Sequence, residues 1–313
     1  MLQQTRSETV LRYYTRFLER FPTLRALAAA SESRVLALWS GLGYYTRARS
    51  LRRAARLVVE RHGGRVPRDL ETLHALPGIG RYTAAAVASI AYGVQSPVID
   101  GNVARVFARL FDIRGDVRSA RVQNRMWNLG ENLLPQRQPG DWNQALMELG
   151  AMICLPRRPK CPLCPARGAC AAYALGAIDR LPTPSRRPPS VKARRAVAVV
   201  GHQGRTLLVP ANHGSLFRGL WEFPSVPVEG NDQPETPLRR ELRRLGLRRV
   251  ELRHVETIRH TILNQRITTE VFQVDIGSVK DKLPDHARWF SPRQLRSLPL
   301  SSVGLKITRR IAK

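Results

Sequence analysis

The stretch from His74 to Val87 limits what this chain can fold into more tightly than any other, with Leu76-Pro77-Gly78-Ile79-Gly80-Arg81-Tyr82-Thr83 at its centre. Pro77 ends one helix, because its ring removes an amide donor and blocks the helical continuation. Gly78 and Gly80 permit backbone angles that a side chain would forbid, so a second helix follows after a very tight turn. That helix, from Thr83 to Ala91, is rich in alanine and packs closely. Its first turn presents unpaired N–H groups beside the glycines, with Arg81 next to them, and such a surface binds phosphate. An ordinary helical hairpin carries the same local pattern, so this stretch alone does not decide a function.

Two further features weigh on it. In Val98-Ile99-Asp100-Gly101-Asn102-Val103, Asp100 caps a helix that runs from Val103 to Phe111 with apolar spacing of three and four. All four cysteines fall in one short segment, Cys154-x6-Cys161-x2-Cys164-x5-Cys170, directly after a strongly apolar helix from Asp141 to Ile153. In a long chain without an export signal, that spacing favours metal ligation over disulfides, and four thiolates suit tetrahedral zinc or a cubane iron–sulfur cluster.

Charge points the same way. Fifty-two Lys and Arg against 24 Asp and Glu give a formal charge of +28 over 313 residues, which calls for a polyanionic partner, with nucleic acid the natural one. No apolar run is long enough to cross a bilayer, and Met1-Leu2-Gln3-Gln4 does not begin a signal peptide, so the expectation is a cytoplasmic, nucleoid-associated monomer with no membrane partner. Within the first half, Trp39 to Arg49 interleaves small residues, paired tyrosines and arginines, a composition suited to phosphate contact and base stacking.

Together, Leu76-Pro77-Gly78-Ile79-Gly80-Arg81, Asp100 and the cysteine loop resemble the helix-hairpin-helix DNA glycosylases of base-excision repair. Endonuclease III-type members place a Schiff-base lysine directly after the Gly-x-Gly-Arg turn, where this chain has Tyr82. They also read Val-Asp-Thr-His around the aspartate, whereas Ile99-Asp100-Gly101-Asn102-Val103 is similar to the adenine DNA glycosylases of the MutY family.

That resemblance implies a mainly α N-terminal helix-hairpin-helix glycosylase domain with an iron–sulfur loop, plus an α+β Nudix-like C-terminal domain. The expected boundaries are 1–180 for the first, with the loop at 153–171, a Pro- and Arg-rich linker at 181–195, and 196–313 for the second. The implied reaction is hydrolytic removal of adenine mispaired with 8-oxoguanine or guanine in duplex DNA, without an amine nucleophile. Asp100 would stabilise the positive sugar, with Asn102 and Tyr82 orienting it or the leaving base. Gly78, Gly80, Arg81 and Thr83 would grip the strand. Gln3 and Gln4 match the family's wedge loop, Tyr44 its intercalator, and Gln144 a residue facing the everted base. Cys154, Cys161, Cys164 and Cys170 match the ligands of one [4Fe–4S] cluster.

Beyond the linker, the order of strands and helix resembles the family's Nudix-like domain. Arg240-Glu241-Leu242-Arg243-Arg244-Leu245-Gly246 keeps a single carboxylate where a Nudix box clusters glutamates for divalent metal, so nucleotide hydrolysis is not expected. His260 and Thr261 are retained from the lesion-reading loop, but Ile262-Leu263-Asn264 replaces its Phe-Ser-His, leaving Asn264, with Gln265 next to it, to do the reading. The family's general-acid glutamate lies just upstream of the position of Met1. The expectation is a chain truncated relative to the working enzyme; the alternatives are a mismatch-binding protein of impaired catalysis and an endonuclease III-like glycosylase with lyase activity.

Overall fold

The computed structural model describes residues 1–5, 7–184, 189–211, 217–276 and 283–311. The chain opens with helices α1 (Ser7–Arg20), α2 (Leu24–Ala29), α3 (Glu32–Trp39) and α4 (Tyr45–Arg61). Thr23 and Ser31 start α2 and α3 by accepting the amides of Ala26 and Arg34 on their side chains. The position before α1, Arg6 of the Thr5-Arg6-Ser7-Glu8 pattern, lies outside the described residues. Helices α5 (Leu70–Ala75), α6 (Arg81–Tyr92), α7 (Gly101–Leu110), α8 (Ala120–Leu133), α9 (Pro139–Glu148) and α10 (Ala171–Ala174) follow. The chain divides into two compact units, Glu60–Arg187 and a second made of Met1–Val59 with Pro188–Lys313.

In the unit Glu60–Arg187, α7 is the central element. Every residue from Val103 to Arg109 is buried, so the helix is surrounded, with Val103, Phe107, Ile113, Met126, Trp127 and Leu146 in its core. Such a helix has no solvent side for its two arginines, which must find polar partners inside. Helix α9 packs against α6, where Ala84, Ala85 and Ala88 leave room for close approach. Asn143 of α9 is 1% exposed and makes three hydrogen bonds. Its Oδ1 accepts from the Val98 amide at 3.0 Å, and its Nδ2 donates to Ser89 Oγ and to the Ser96 carbonyl, each at 2.9 Å. The amide therefore holds the extended segment that delivers Asp100.

The expected helix from Asp141 to Ile153 is corrected by the structure: α9 ends at Glu148, and Leu149–Ile153 is a π-helical turn. The cause is local competition for a carbonyl. Arg105 Nη2 donates to the Gly150 carbonyl at 2.7 Å, and the Cys154 amide bonds instead to the Leu149 carbonyl at 2.7 Å, one residue further back.

The other unit carries a sheet of β1 (Val191–His202), β2 (Arg205–Pro210), β3 (Trp221–Glu222), β4 (Ser225–Val228), β5 (Val250–Ile262), β6 (Gln265–Ile276) and β7 (Arg288–Phe290). Its order is β3-β2-β1-β6-β5, with β4 also on β1 and β7 also on β2; β1 and β6 are parallel and the remaining pairs antiparallel. Alternation along β1 sorts the two faces. Ala196, Ala198 and Val200 pack with Leu238 and Leu242 of α11 (Glu235–Arg244), while Val197 and Val199 pack with Leu295 of α12 (Pro292–Leu295) and Ile307 of α13 (Ser302–Ile311). The segment expected as linker at 181–195 is shorter than read from composition. Strand β1 already begins at Val191, paired with Gln265, because a partner strand overrides a weak local preference. Residues 185–188 of that segment lie outside the described residues.

Replacing Asn143 with alanine strands the buried Val98 amide and Ser96 carbonyl. The expected loss is about 3 kcal/mol in denaturant unfolding of the chain, with the largest rise in amide exchange at Ser96–Asp100.

Candidate active site

The predicted hairpin is present. Pro77 and Gly78 are the central residues of a turn closed by the Ile79 amide on the Leu76 carbonyl at 3.1 Å, and Gly78 takes φ +79, which a side chain would strain. Gly80 is a correction: its φ of −87 suits any residue, and a Cβ there would meet nothing within 4 Å. It caps α6 without a side-chain hydrogen bond. Arg81 is engaged nearby, with its guanidinium 3.9 Å from the Trp127 ring centroid and 3.8 Å from Glu131. Thr83 is half-buried in the same turn.

Asp100 caps α7. Its Oδ1 accepts from the amides of Asn102 at 2.8 Å and Val103 at 2.7 Å, and its Oδ2 accepts from Asn102 Nδ2 at 3.2 Å. The carboxylate is half-buried at the positive end of a helix, fixed by three donors yet reachable from solvent. Tyr82 stands close by. Burial raises its phenol above the ordinary value, and the Asp100 charge raises it further, so the hydroxyl keeps its proton. That hydroxyl donates to Met147 Sδ at 3.6 Å.

Behind Asp100 sits a second layer that sequence reading missed. Arg105 Nη2 donates to Asn102 Oδ1 at 2.9 Å and to the Gly150 carbonyl, while its Nε donates to the Cys154 carbonyl at 2.8 Å. Burial lowers this guanidinium, opposed by Cys154 and Asp100, with Arg109 adding to the lowering. Gly150 is fixed by contact, since a Cβ there would lie 2.7 Å from Asn102 Cβ. The π turn is thus pressed against the residue that holds Asp100. Arg109, 1% exposed, donates from Nη1 to Cys154 Sγ at 3.3 Å and to the Leu155 carbonyl at 2.7 Å. The signal available in sequence was that α7 is apolar on every other face, which leaves Arg105 and Arg109 nowhere but inside.

Cys154, Cys161, Cys164 and Cys170 line one cavity together with Arg109. Burial raises the Cys161 thiol, and its neighbours Cys154 and Cys170 raise it further. Among the described residues, no three His, Cys, Asp or Glu side chains converge as a site for one metal ion. Four thiols facing one cavity are a donor set for a soft metal centre, and the buried Arg109 guanidinium beside them complements thiolate charge. Gln144 lies exposed on α9, its Nε2 donating to the Gly140 carbonyl of its own helix at 3.3 Å.

In the other unit, the Gln3–Gln4 loop and the Tyr44 loop are tied by Arg47. Its Nη1 donates to the carbonyls of Met1 and Gln3, its Nη2 donates to that of Gly43, and its guanidinium lies 5.1 Å from the Tyr44 ring. Gln4 (φ +56) and Tyr44 (φ +48) are both exposed in the left-handed region. Non-glycine residues held in that conformation and projecting to solvent mark a loop shaped for contact. His260 lies half-buried on β5 opposite Ile267, with Nδ1 enclosed and unpaired, and Thr261 is exposed beside it. Asn264 is exposed in the β5–β6 turn, donating from Nδ2 to the Pro189 carbonyl at 3.3 Å, next to Leu263 at φ +55. Glu241 of α11 is within 3.4 Å of Arg244.

Comparison with known proteins fits these two sets of elements. The sequence profile described as HhH-GPD superfamily base excision DNA repair protein matches residues 1–132, and that of the NUDIX domain matches 195–310. The chain is 37% identical to the adenine DNA glycosylase of Homo sapiens over 361 residues, covering 99% of this chain and 66% of that protein. The Mus musculus adenine DNA glycosylase is also 37% identical, over 99% of this chain and 69% of its own length. The chain therefore spans about two thirds of these relatives. Among solved structures, a thermostable thymine-DNA glycosylase is 32% identical with a TM-score of 0.51, covering 56% of this chain and 80% of that one. A trapped endonuclease III–DNA covalent intermediate is 26% identical with a TM-score of 0.50, covering 56% and 81%.

Burial lowers the His260 imidazole below its ordinary value, and Lys306 and Arg195 lower it further, against a hydrogen bond that the ring donates to the Ile258 backbone. The unfolded chain thus binds the proton more readily. The stability that the neutral ring contributes is full above about pH 6.5 and is lost as pH falls through the folded value. Urea midpoints measured on either side of that range should drop on acidification, and His260→Gln should flatten the drop.

Proposed function

Because the chain belongs to the adenine DNA glycosylases, we propose that the protein hydrolyses the N-glycosidic bond of adenine mispaired with 8-oxoguanine or guanine in duplex DNA. The observation that carries the reading is the placement of Asp100, an anion fixed by two backbone amides and Asn102 yet open to solvent, with the neutral Tyr82 phenol beside it.

Loss of the base leaves positive charge on the sugar, and a preorganised carboxylate lowers the energy of that charge without reorganising at the moment of reaction. The three donors keep Asp100 from swinging away. Tyr82 takes the place where a lyase carries its amine, so no imine forms on this chain and the reaction ends at the abasic site. The hairpin, whose Gly80 caps α6 without a side-chain hydrogen bond, supports backbone grip, and the strained, exposed Gln4 and Tyr44 support filling of the space left by an everted adenine. Gln144 is assigned to the edge of the base, where an amide pairs with adenine N6 and N7. His260, Thr261 and Asn264 are assigned to the opposite base.

The four thiols are assigned to one [4Fe–4S] cluster, which when bound ties the loop from Cys154 to Cys170 into one rigid piece. Arg109 holds Cys154 in place, and Arg105 passes the position of that loop to Asn102. No hydrolytic step uses the cluster. The monomeric state and a cytoplasmic, nucleoid-associated location belong to the same proposal.

Single-turnover release of adenine from a duplex bearing one mispair with 8-oxoguanine tests this, using the natural full-length protein. Asp100→Asn should slow excision by about a hundredfold or more while leaving mispair affinity within about threefold. Unaltered excision by this variant would contradict the assignment.

A further inference from the structure

Within the unit formed by Met1–Val59 and Pro188–Lys313, a cleft of about 1330 Å³ opens between α1 and α3 on one wall and β7, α12 and α13 on the other. Its walls are strongly basic. Arg12, Arg16 and Arg20 line it from α1, and Arg296, Lys306 and Arg309 line it from the C-terminal side, all with exposed side chains. Arg34 and Arg288 add to them, and Glu8 is the acidic residue among the described lining. None of the three α1 arginines has a carboxylate within ion-pair distance among the described residues, and the folded chain keeps these like charges together at a cost in self-repulsion. A polyanion relieves that cost.

Aromatic side chains lining the cleft narrow the choice of polyanion. Trp221 and Phe290, both half-buried, meet edge to face at 4.8 Å, and the Arg288 guanidinium lies 6.0 Å from the Trp221 ring. Tyr13 lines the opposite wall. Cationic rails beside aromatic faces suit bases that are free to stack, whereas a duplex hides its base faces. The arginines at 12, 16 and 20 recur every four residues, a rise of about 6 Å along a helix, which presents charge as a row along a strand's phosphates. Gly41, in the loop that carries Tyr44, also lines the cleft. We propose that this cleft binds single-stranded DNA, with phosphates on the arginine rows and bases on Trp221 and Phe290.

The test is fluorescence anisotropy of the natural full-length protein with a short fluorescein-labelled thymidine homopolymer across a salt series. That probe has no adenine and no duplex, so its binding is independent of whether Asp100 acts on adenine. Replacing Arg12, Arg16 and Arg20 together with glutamine should weaken binding at least about tenfold and reduce the log–log salt slope by about 2, the value for three phosphate contacts on a single strand. Trp221→Ala should weaken it about tenfold by loss of stacking, and Trp221→Phe should restore most of it. A matched removal of Arg240, Arg243 and Arg249 from the α11 side should leave affinity within about threefold. The proposal is overturned if the α1 variant binds as tightly and with the same slope as the parent, or if the matched variant loses as much. It is also overturned if poly-glutamate of equal length displaces the probe while Trp221→Ala changes nothing, which would make the cleft a surface for acidic protein.

Discussion

The account rests on the capping of α7 by Asp100. A helix start needs an acceptor for its free amides, and the proposed reaction needs an anion that stays where it is put; one carboxylate meets both demands. The arrangement is held from behind. Asn102 fixes the second oxygen, Arg105 fixes Asn102, and the Gly150 and Cys154 carbonyls fix Arg105. Each member of this series leaves a buried polar group unpaired if the next is removed, so the series behaves as a unit. The π turn at Leu149–Ile153 follows from the same demand, because it frees the Gly150 carbonyl for Arg105.

What was legible in the sequence was what local chemistry fixes. Pro77 and Gly78 end one helix and turn the chain, Asp100-Gly101-Asn102 starts another, and the alternation of Ala196 to Val200 gives a strand between two apolar faces. The four cysteines line one cavity, whereas the Tyr82 hydroxyl, which the resemblance implies would orient Asp100 or the leaving base, donates to Met147 Sδ. What escaped was set by tertiary competition. Arg47 falls within a stretch suited to phosphate contact, and Arg105 and Arg109 carry no local signal, yet each is spent on backbone carbonyls of distant segments. Gly80 looked conformationally special and is not, whereas Gly150 looked ordinary and sits where no Cβ fits. Strand β1 begins inside a Pro-rich stretch because β6 supplies a ladder that composition does not announce.

Charge is distributed according to use. The +28 excess is not a uniform coat. Arg105 and Arg109 are internal and hold carbonyls and a thiol, Arg47 ties two exposed loops, and the rows lining the basic cleft face outward. In the NUDIX-type domain, Glu241 is met by Arg244 on a helix that carries further arginines. In the proposed function this domain contacts the opposite base, a use that its fold alone does not dictate.

The central claim is that Asp100 acts by its charge on a positive sugar. Equilibrium binding of a duplex carrying a cationic pyrrolidine in place of the target nucleotide, compared with a neutral tetrahydrofuran analogue, tests it most directly. The account predicts that Asp100→Asn weakens the cationic duplex by about a hundredfold and leaves the neutral one within about threefold. Equal effects on the two duplexes, or none on either, would contradict it.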